Sequence, residues 1–241
     1  MSNKRLIKDK LITKRQIEAA RNECMIHSQL AHENVIKLYE YSEDDNEISL
    51  IMEYANQAMY LSDLIIDGHT PVENEQDLQI YAYDILNGLA YIHKNGIIHG
   101  DVKFENMLAH KEDDDSHPII KICDFGLAQA VDPANSNKIL KSQVAGTWGY
   151  IAPEFKNSEY IGREVDIWAY GLLLYEMAVA YKPTQLKNYQ YRDGELPFHK
   201  SHWRGKPEEL KSLIRGCMEL DPNKRLTAEE ALQHPYFMTQ V

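Results

Sequence analysis

The most informative stretch of this chain is His99-Gly100-Asp101-Val102-Lys103-Phe104-Glu105-Asn106, which is followed at position 124 by Asp124-Phe125-Gly126. An aspartate, a lysine and an asparagine within six positions, and then a distant aspartate, are the groups that a phosphoryl-transfer site requires. In such a site one carboxylate orients the attacking hydroxyl and an ammonium steadies the phosphate charge, while an amide and a second carboxylate hold magnesium. The two segments therefore indicate phosphoryl-transfer chemistry.

The composition fits a globular protein with one large domain or two small lobes. The 241 residues are 44% hydrophobic and carry a net charge of −11, which argues against a nucleic-acid-binding protein because such proteins usually show a basic face. Cys24, Cys123 and Cys217 are odd in number and far apart, which favours a reducing compartment over a disulfide framework or a zinc site. No signal peptide opens the sequence and no apolar run approaches the roughly 18 residues of a membrane helix. We therefore expect no nucleic-acid or membrane partner and a location in the cytoplasm or the nucleus.

The first part of the chain predicts one helix and two strands. Apolar residues recur at helical spacing from Lys14 to Leu30, and two β-like runs follow, Val35 to Tyr41 and Ile48 to Tyr54. The acidic segment Ser42 to Glu47 between these runs is a candidate calcium loop or a hairpin turn. The turn is favoured because the segment lacks the glycine of a calcium loop and has Ile48 where an oxygen ligand is needed.

The remainder of the chain predicts a mainly helical region. Asp77 to Lys94 carries an apolar stripe and stops at Asn95-Gly96, as a helix does. The stripe consists of Leu78, Tyr81, Ile85, Leu89 and Ile92. His110 and His117 flank an acidic insertion and are candidate metal ligands or, as we favour, the ends of a polar turn. With helices again from Arg163 to Phe237, the order of elements predicts an α+β fold with a small sheet-bearing lobe and a larger helical lobe.

Further motifs follow in an order that resembles the eukaryotic protein kinase catalytic domain of the serine/threonine type. His99 to Asn106 resembles its catalytic loop, His-Arg-Asp-x-Lys-x-x-Asn, and Asp124-Phe125-Gly126 resembles its magnesium loop. The other matching segments are Gly146 to Glu154, like the end of an activation segment; Asp166 to Gly171, like the start of a central helix whose aspartate braces the catalytic loop; and Asp221 to Arg225, like the segment whose arginine pairs with Glu154. Each motif alone is also compatible with a turn, a polar loop or a helix start, but their shared order favours the family from about Lys4 to Phe237.

The resemblance implies one protein kinase domain over residues 1–241. It would have a truncated N-terminal sheet lobe over 1–55 and a helical C-terminal lobe over 56–241. In it Asp101 would position the acceptor hydroxyl, Lys103 would support the phosphate, and Asn106 and Asp124 would bind magnesium. A lysine two positions after the catalytic aspartate goes with serine and threonine acceptors. The implied cofactors are ATP and Mg²⁺, and the implied partner is a protein substrate with a Ser or Thr acceptor.

The nucleotide-binding positions that the resemblance implies come mainly from the N-terminal part. Glu23 stands where the family has a helix glutamate that pairs with a strand lysine, and counting back by the family's spacing gives Lys4 for that lysine. The sequence leaves open whether this pair forms, because Lys4 has little strand before it. The remaining positions are the gatekeeper Met52, the hinge residues Glu53 and Ala55, whose backbone would bind adenine, and Leu108 as the apolar floor beneath it.

The sequence departs from the family pattern at several positions. Gly100 replaces an arginine that clamps a phosphorylated activation segment in many relatives, so we expect phosphorylation, for example at Ser142, not to be the main switch. No Gly-x-Gly-x-x-Gly hairpin precedes Lys4, and Ser2 stands where a small apolar residue roofs the adenine, which predicts weaker nucleotide binding. His27 replaces an aliphatic residue, and it would either loosen the stack between the helix and the magnesium loop or face solvent.

Two functional classes therefore remain open from the sequence. The first is a protein kinase that transfers the γ-phosphoryl group of ATP to serine or threonine. The second is a pseudokinase, a non-catalytic scaffold that binds partners. The complete set of polar residues in the larger lobe favours the kinase, and the missing hairpin favours the scaffold. His99 is expected to have a structural role beneath Phe125 rather than to act as a general base.

Overall fold

The computed structural model describes residues 1–8, 13–54, 59–61, 71–72, 74–111, 117–131, 138–140, 146–181 and 196–238. A small sheet-rich N-terminal region leads into a larger helical C-terminal region, which confirms the predicted α+β class. The predicted hinge residue Ala55 and the candidate phosphorylation site Ser142 lie outside the described residues. The division into lobes at residue 55 stays a prediction.

A three-stranded antiparallel sheet forms the N-terminal region, in the order β1-β3-β2. Its strands are β1 (Ser2–Ile7), β2 (Leu38–Glu43) and β3 (Glu47–Met52). Strand β1 places Lys4 opposite Leu50 of the central strand. The acidic segment is the predicted hairpin turn, in which the Asp44 carboxylate accepts hydrogen bonds from the backbone N–H groups of Asn46 and Glu47 at 2.7 and 2.8 Å. The turn therefore uses the carboxylate as a backbone cap.

Helix α1 (Lys14–His27) packs against this sheet. It ends three residues before Leu30, the predicted end. Its start is fixed by a capping box, in which the Thr13 hydroxyl accepts from the Gln16 backbone and the Gln16 side chain accepts from the Thr13 backbone. Ala20 and Cys24 of the helix pack against Ile48 and Leu50 in a small apolar cluster. This cluster holds the helix, and with it Glu23, against the sheet.

The C-terminal region is built around two long helices. Within the described residues its helices are α2 (Glu75–Lys94), α3 (Glu164–Val179), α4 (Lys200–Trp203), α5 (Glu208–Cys217) and α6 (Ala228–Leu232). The predicted apolar stripe of α2 is buried throughout, and α3 is buried along almost its whole length. Residues after Leu232 were predicted as helix, but Pro235–Phe237 forms a 3₁₀ turn because proline has no N–H to continue a helical ladder.

Short strands connect these helices and position the loops that carry the sequence motifs. They are β4 (Met59–Tyr60), β5 (Ile97–Ile98), β6 (Met107–His110), β7 (Ile119–Ile122), β8 (Gln129–Ala130), β9 (Ile139–Leu140) and β10 (Tyr160–Ile161). Strands β6 and β7 pair antiparallel, with Met107 opposite Ile122. Asn106 directly precedes β6, and Cys123 and Asp124 directly follow β7. The hairpin therefore brings Asn106 and Asp124 to the same end of the pair, where the Cys123 N–H donates to the Asn106 carbonyl at 2.9 Å.

Three alternatives raised by the sequence can be compared with this fold. The exposed His117 ring lies 3.7 Å from Asp77, and the described residues contain no group of three or more His, Cys, Asp or Glu side chains that could hold a metal. The three cysteines are free thiols. None of the helices in the described part combines the length and apolarity that a membrane crossing requires. The expected location in the cytoplasm or nucleus stays a prediction.

Candidate active site

Hydrogen bonds to Asp166, at the start of α3, hold the loop from His99 to Asn106 in place. The Asp166 carboxylate, 1% exposed, accepts hydrogen bonds from the backbone N–H groups of His99 and Gly100, both at 2.8 Å, and from Nε2 of His93 at 2.9 Å. Burial alone would raise the pKa of Asp166, but its hydrogen bonds and the nearby imidazoles lower it below the ordinary value. The predicted bracing of the loop by this carboxylate is confirmed.

The fully buried His99 ring joins this loop to the segment that carries Asp124. Its Nε2 donates to the Cys123 carbonyl oxygen at 3.1 Å, and its Nδ1 accepts from the Asp101 backbone N–H at 3.2 Å. The ring also meets the edge of Phe125 at 5.2 Å between centroids. Both nitrogens are therefore occupied by backbone groups, which confirms the structural role predicted for His99.

Gly100 adopts a backbone conformation that favours glycine. Its φ angle is +78°, and a Cβ atom at this position would lie 2.9 Å from the carbonyl oxygen of Leu127. The departure from the family motif therefore coincides with a close approach between the catalytic loop and the segment after Phe125.

Asp101, Lys103 and Thr147 form a compact polar triangle. The Thr147 hydroxyl donates to Asp101 Oδ1 at 2.6 Å, and Lys103 Nζ lies 2.6 Å from Asp101 Oδ2. Lys103 Nζ also donates to the Thr147 hydroxyl at 2.8 Å. Each of these three groups contacts the other two, so the orientation of the Asp101 carboxylate is fixed before a substrate binds.

Asn106 links this triangle to the magnesium-loop aspartate. Its Nδ2 donates to the backbone oxygen of Asp101 at 2.8 Å and to Oδ2 of the same residue at 3.0 Å, which commits the amide nitrogen and leaves the side-chain carbonyl oxygen as an acceptor. Asp124 is held in the left-handed region with a φ of +62°, and its side chain is 48% exposed. Both residues therefore stand at the same end of the β6–β7 hairpin.

Lys4 connects the two regions through Glu23 and Asp124. Its Nζ donates to Glu23 Oε1 at 2.7 Å and to Asp124 Oδ1 at 2.9 Å. The pair that the sequence leaves open is therefore formed, because β1 pairs along its whole length with β3 and fixes Lys4. Burial alone would lower the pKa of Lys4, but the two carboxylates raise it, so the ammonium stays charged.

The pKa values of Glu23 and Asp124 are shifted in opposite directions by this arrangement. Burial raises the pKa of Glu23, although the Lys4 charge opposes the shift. Burial would likewise raise the pKa of Asp124, but attraction to Lys4 and hydrogen bonds from Lys4 and the Gly126 N–H lower it. Asp124 is therefore the more strongly ionised group of the two, which suits a cation ligand.

A cleft of about 380 Å³ opens between the two regions and contains most of the predicted nucleotide-binding residues. Its lining includes Lys4, Glu23, Met52, Glu53, Leu108, Asn106 and Asp124. Asp101 and Lys103 do not line this cleft; Asp101 lines a smaller neighbouring pocket with Gly146 and Thr147. Cys123 also faces the cleft, and burial raises the pKa of its thiol to about 12, so it remains protonated.

His27 lies at the back of the cleft and is buried, which excludes the solvent-facing alternative. Its Nε2 donates to the Ile36 carbonyl oxygen at 2.7 Å, and its ring centroid lies 4.7 Å from that of Phe125. Among the described residues its Nδ1 has no hydrogen-bond partner. The stack between α1 and the magnesium loop is therefore continuous but contains one buried, unpaired nitrogen.

Sequence reasoning missed the role of three side chains at this site. Gly146-Thr147 before Tyr150 agrees with a serine or threonine acceptor, but nothing in the sequence indicates the contacts of Thr147 with Asp101 and Lys103. Lys121 lies 3.2 Å from Glu53 Oε1, and the Ser2 hydroxyl donates to the Glu53 carbonyl oxygen at 3.3 Å. These contacts join distant parts of the chain and leave no local pattern.

Comparison with known proteins adds independent information on this arrangement. A family model described as protein kinase domain matches residues 1–237. Serine/threonine-protein kinase DCLK3 of Mus musculus is 35% identical over 239 residues, which is 94% of this chain and 29% of that protein.

Two further relatives are similar at the same level. Calcium/calmodulin-dependent protein kinase type 1 of Caenorhabditis briggsae is 30% identical over 95% of this chain and 63% of that protein. The type IV enzyme of Homo sapiens is 34% identical over 90% of this chain and 45% of that protein. The chain therefore spans between 29% and 63% of the length of these relatives.

Proposed function

This chain belongs to the protein kinase domain family, and from that premise we propose that it transfers the γ-phosphoryl group of ATP to serine or threonine hydroxyls of proteins. The proposal is carried by the convergence of Asp101, Asn106 and Asp124. Asn106 is bonded to Asp101 through its side chain and to Cys123 through its backbone, and Asp124 follows Cys123 directly. Asn106 and Asp124 line the same cleft, and Asp101, which lines the neighbouring pocket, is joined to them through its hydrogen bonds with Asn106. These are the groups that phosphoryl transfer requires.

Asp101 is the residue that orients the acceptor hydroxyl in this proposal. Its carboxylate oxygens accept from Thr147, Lys103 and Asn106, but two carboxylate oxygens offer about four lone-pair sites. A substrate hydroxyl can therefore donate to a remaining site on a carboxylate whose direction is already fixed. Lys103 places a positive charge 2.6 Å from Asp101, where it can also steady the phosphate during transfer.

Asn106 and Asp124 fit magnesium by their chemistry. Magnesium is bound in such sites through oxygen atoms of one or two side chains together with substrate phosphates, and it neutralises phosphate charge. Asn106 would contribute its side-chain carbonyl oxygen because its nitrogen is committed to Asp101. Asp124 would contribute Oδ2, since Lys4 and the Gly126 N–H both contact Oδ1. Lys4 would hold the nucleotide phosphates, and Glu23 would keep Lys4 in place.

A non-catalytic scaffold is the second candidate, and one contact favours it. The Ser2 hydroxyl donates at 3.3 Å to the carbonyl oxygen of Glu53, a hinge group that would bind adenine. A nucleotide has to share or displace this hydrogen bond. Such competition would weaken nucleotide binding without touching the helical region that a scaffold would use.

Phosphate transfer to a generic basic protein, measured with Mg–ATP for the wild type and for Asp101→Asn, tests the proposal. We expect transfer by the wild type and at least about a hundredfold less by the variant, since a positioned base contributes about 10²–10⁴ in rate. The variant should bind Mg–ATP as the wild type does, because Asp101 does not line the nucleotide cleft.

Thermal unfolding with and without Mg–ATP separates the two candidates. Binding at 100 times the dissociation constant should add about 2.7 kcal/mol to the stability of the folded state. Stabilisation without transfer, or equal transfer by both proteins, would favour the scaffold over the enzyme.

A further inference from the structure

A second cavity, of about 720 Å³, lies in the C-terminal region between α4 and the start of α5. It shares no lining residue with the nucleotide cleft among the described residues. Its charged lining consists of four cations and one carboxylate: Lys200, Arg204, Lys206, Lys211 and Glu208. We call this set the basic cavity.

The charge of the basic cavity is opposite to that of the whole chain. The protein has 37 acidic and 26 basic side chains and a net charge of −11. The basic cavity is therefore a local excess of positive charge on a protein that is acidic overall. Its field reaches only about 8–10 Å into physiological salt, so it acts on groups that come close to this surface.

Two of the four cations already have carboxylate partners. Lys211 Nζ lies 2.5 Å from Glu208, and Lys206 Nζ lies 3.4 Å from Glu75. Lys200 and Arg204 are exposed, and within the described residues no carboxylate lies within 4.0 Å of either. The charges that remain available to a ligand are therefore those of Lys200 and Arg204.

A buried aromatic cluster fixes the segment that carries these two cations. Trp203, between them in sequence, is 2% exposed, and its ring centroid lies 4.7 Å from Phe198 and 4.8 Å from Tyr175 of α3. The Trp203 indole N–H donates to the Tyr175 hydroxyl at 3.3 Å, and that hydroxyl donates to the Pro197 carbonyl at 2.6 Å. The backbone that carries Lys200 and Arg204 is thereby positioned before a ligand binds, which lowers the entropic cost of binding.

A further cation belongs to the same aromatic cluster. The exposed Arg215 of α5 places its guanidinium 4.6 Å from the centre of the Phe198 ring. Because Phe198 also lines the basic cavity, Arg215 adds a further positive charge beside it.

We propose that the basic cavity is a docking site for an acidic segment of a protein partner, whose carboxylates pair with Lys200 and Arg204. A short acidic peptide matches the local charge of the cavity. A nucleic acid is a long polyanion and would meet the repulsion of the remaining acidic surface, so it is disfavoured. The proposal does not depend on phosphate transfer, because the cavity is separate from the nucleotide cleft.

Fluorescence anisotropy with a labelled peptide of alternating Glu and Ala, about 12 residues long, tests the proposal. The charge reversal Lys200→Glu/Arg204→Glu should weaken peptide binding at least about tenfold. The matched control is Lys14→Glu/Lys94→Glu, which reverses two exposed lysines on other helices and changes the net charge equally. The control should bind the peptide within about twofold of the wild type.

Three outcomes would overturn the proposal: no binding of the peptide by the wild type, an equal loss in both double variants, or equally tight binding of a Gln–Ala peptide. Tighter binding of a single-stranded oligonucleotide of the same charge through Lys200 and Arg204 would also overturn it, in favour of a nucleic-acid site. Thermal unfolding monitors the fold of each variant. If the charge reversal unfolds the protein, the neutral pair Lys200→Gln/Arg204→Gln replaces it and should still weaken binding severalfold.

Discussion

The two regions of this protein hold their halves of the proposed active site by different means. In the C-terminal region the catalytic loop is anchored by Asp166, which is 1% exposed and accepts three hydrogen bonds of 2.8–2.9 Å inside one continuous apolar core. In the N-terminal region Lys4 and Glu23 are presented by three strands and one helix. The apolar cluster behind them is small and consists of Ala20, Cys24, Ile48 and Leu50.

This contrast predicts which property each region controls. The catalytic loop is set by buried hydrogen bonds that exist without any ligand, so changes there should act first on the stability of the fold. The nucleotide side depends on one ion pair and on Lys4 reaching across to Asp124, so changes there should act first on Mg–ATP binding. Four tests, from the largest expected effect to the smallest, examine this division.

Arg225→Ala should have the largest effect on stability. The Arg225 guanidinium donates to both Glu154 oxygens, at 2.6 and 2.9 Å, and its side chain is 0% exposed. Removing it leaves a buried carboxylate without its counter-charge, so we expect the free energy of unfolding to fall by about 3–5 kcal/mol in chemical denaturation. The neighbouring Lys224→Ala is the control, because that side chain is 75% exposed, and it should change stability by less than about 0.5 kcal/mol.

A loss below about 1 kcal/mol in Arg225→Ala would contradict the proposed division, since it would mean that the buried pair of the C-terminal region does not support the fold.

Lys4→Met should reduce stability less and nucleotide binding more. The Lys4 side chain is 32% exposed, so solvent screening discounts its ion pairs and we expect a stability loss of about 1–2 kcal/mol. The loss of a charged hydrogen bond to phosphate, worth about 1.5–3 kcal/mol, should weaken Mg–ATP binding by about one to two decades in calorimetry. Arg5→Met is the matched control on the exposed face of the same strand.

Equal Mg–ATP affinity in Lys4→Met and Arg5→Met would show that Lys4 does not contact the nucleotide, and the N-terminal half of the proposed site would then be wrong.

The motif residues could be identified from the sequence, but the contacts that organise them could not. Helix α2 and its buried stripe follow a local period, so they were predicted nearly to the residue; α2 begins two positions earlier because Asn74 caps it. Strand β2 begins later than Val35 because Ile36 donates instead to the carbonyl of Ile122, far away in the chain. The Lys4–Glu23 pair likewise depends on strand pairing, which a local pattern does not reveal.

The basic cavity shows the same limit. Lys200 and Arg204 are ordinary surface residues in the sequence, and only the burial of Trp203 between them places both on one rigid base. The role of Thr147 at Asp101 is a further contact of this kind. Local periods and motif order therefore predicted the elements and the chemistry, whereas contacts between distant segments required the structure.

The third test substitutes His27, and its effect on stability is expected only in acidic solution. Burial lowers the pKa of His27 below its ordinary value of 6.5, although the hydrogen bond to the Ile36 carbonyl opposes this shift. Lys4 and His99 act in the same direction as burial, and Asp124 acts against it. The unfolded chain therefore binds this proton more readily, so the contribution of neutral His27 to stability is complete above pH 6.5 and is lost as the pH falls below it. His27→Leu should flatten the decline of the thermal midpoint between neutral pH and about pH 5.5.

The exposed His117→Leu should leave that decline unchanged, because its ring is 71% exposed. The same slope in His27→Leu and the wild type would show that the buried nitrogen behind Phe125 does not limit the stability of the N-terminal region in acid.

The smallest expected effect comes from two capping boxes of the same kind, one in each region. Thr13 caps α1 with Gln16, and Thr227 caps α6 with Glu230. Thr13→Ala and Thr227→Ala should each lower the free energy of unfolding by about 1 kcal/mol or less, because each removes one capping hydroxyl. Chemical denaturation should therefore not distinguish them clearly.

Mg–ATP binding should distinguish these two variants, because α1 carries Glu23 and α6 carries no residue of the cleft. Fraying of the first turn of α1 loosens the helix on which the Lys4–Glu23 pair depends, so Thr13→Ala should reduce the Mg–ATP-dependent rise in thermal midpoint while Thr227→Ala leaves it unchanged. If both variants lose this rise equally, nucleotide binding depends on overall stability rather than on α1. If neither loses it, the ion pair holds α1 in place without the cap, and the N-terminal region is more rigid than its small apolar cluster implies.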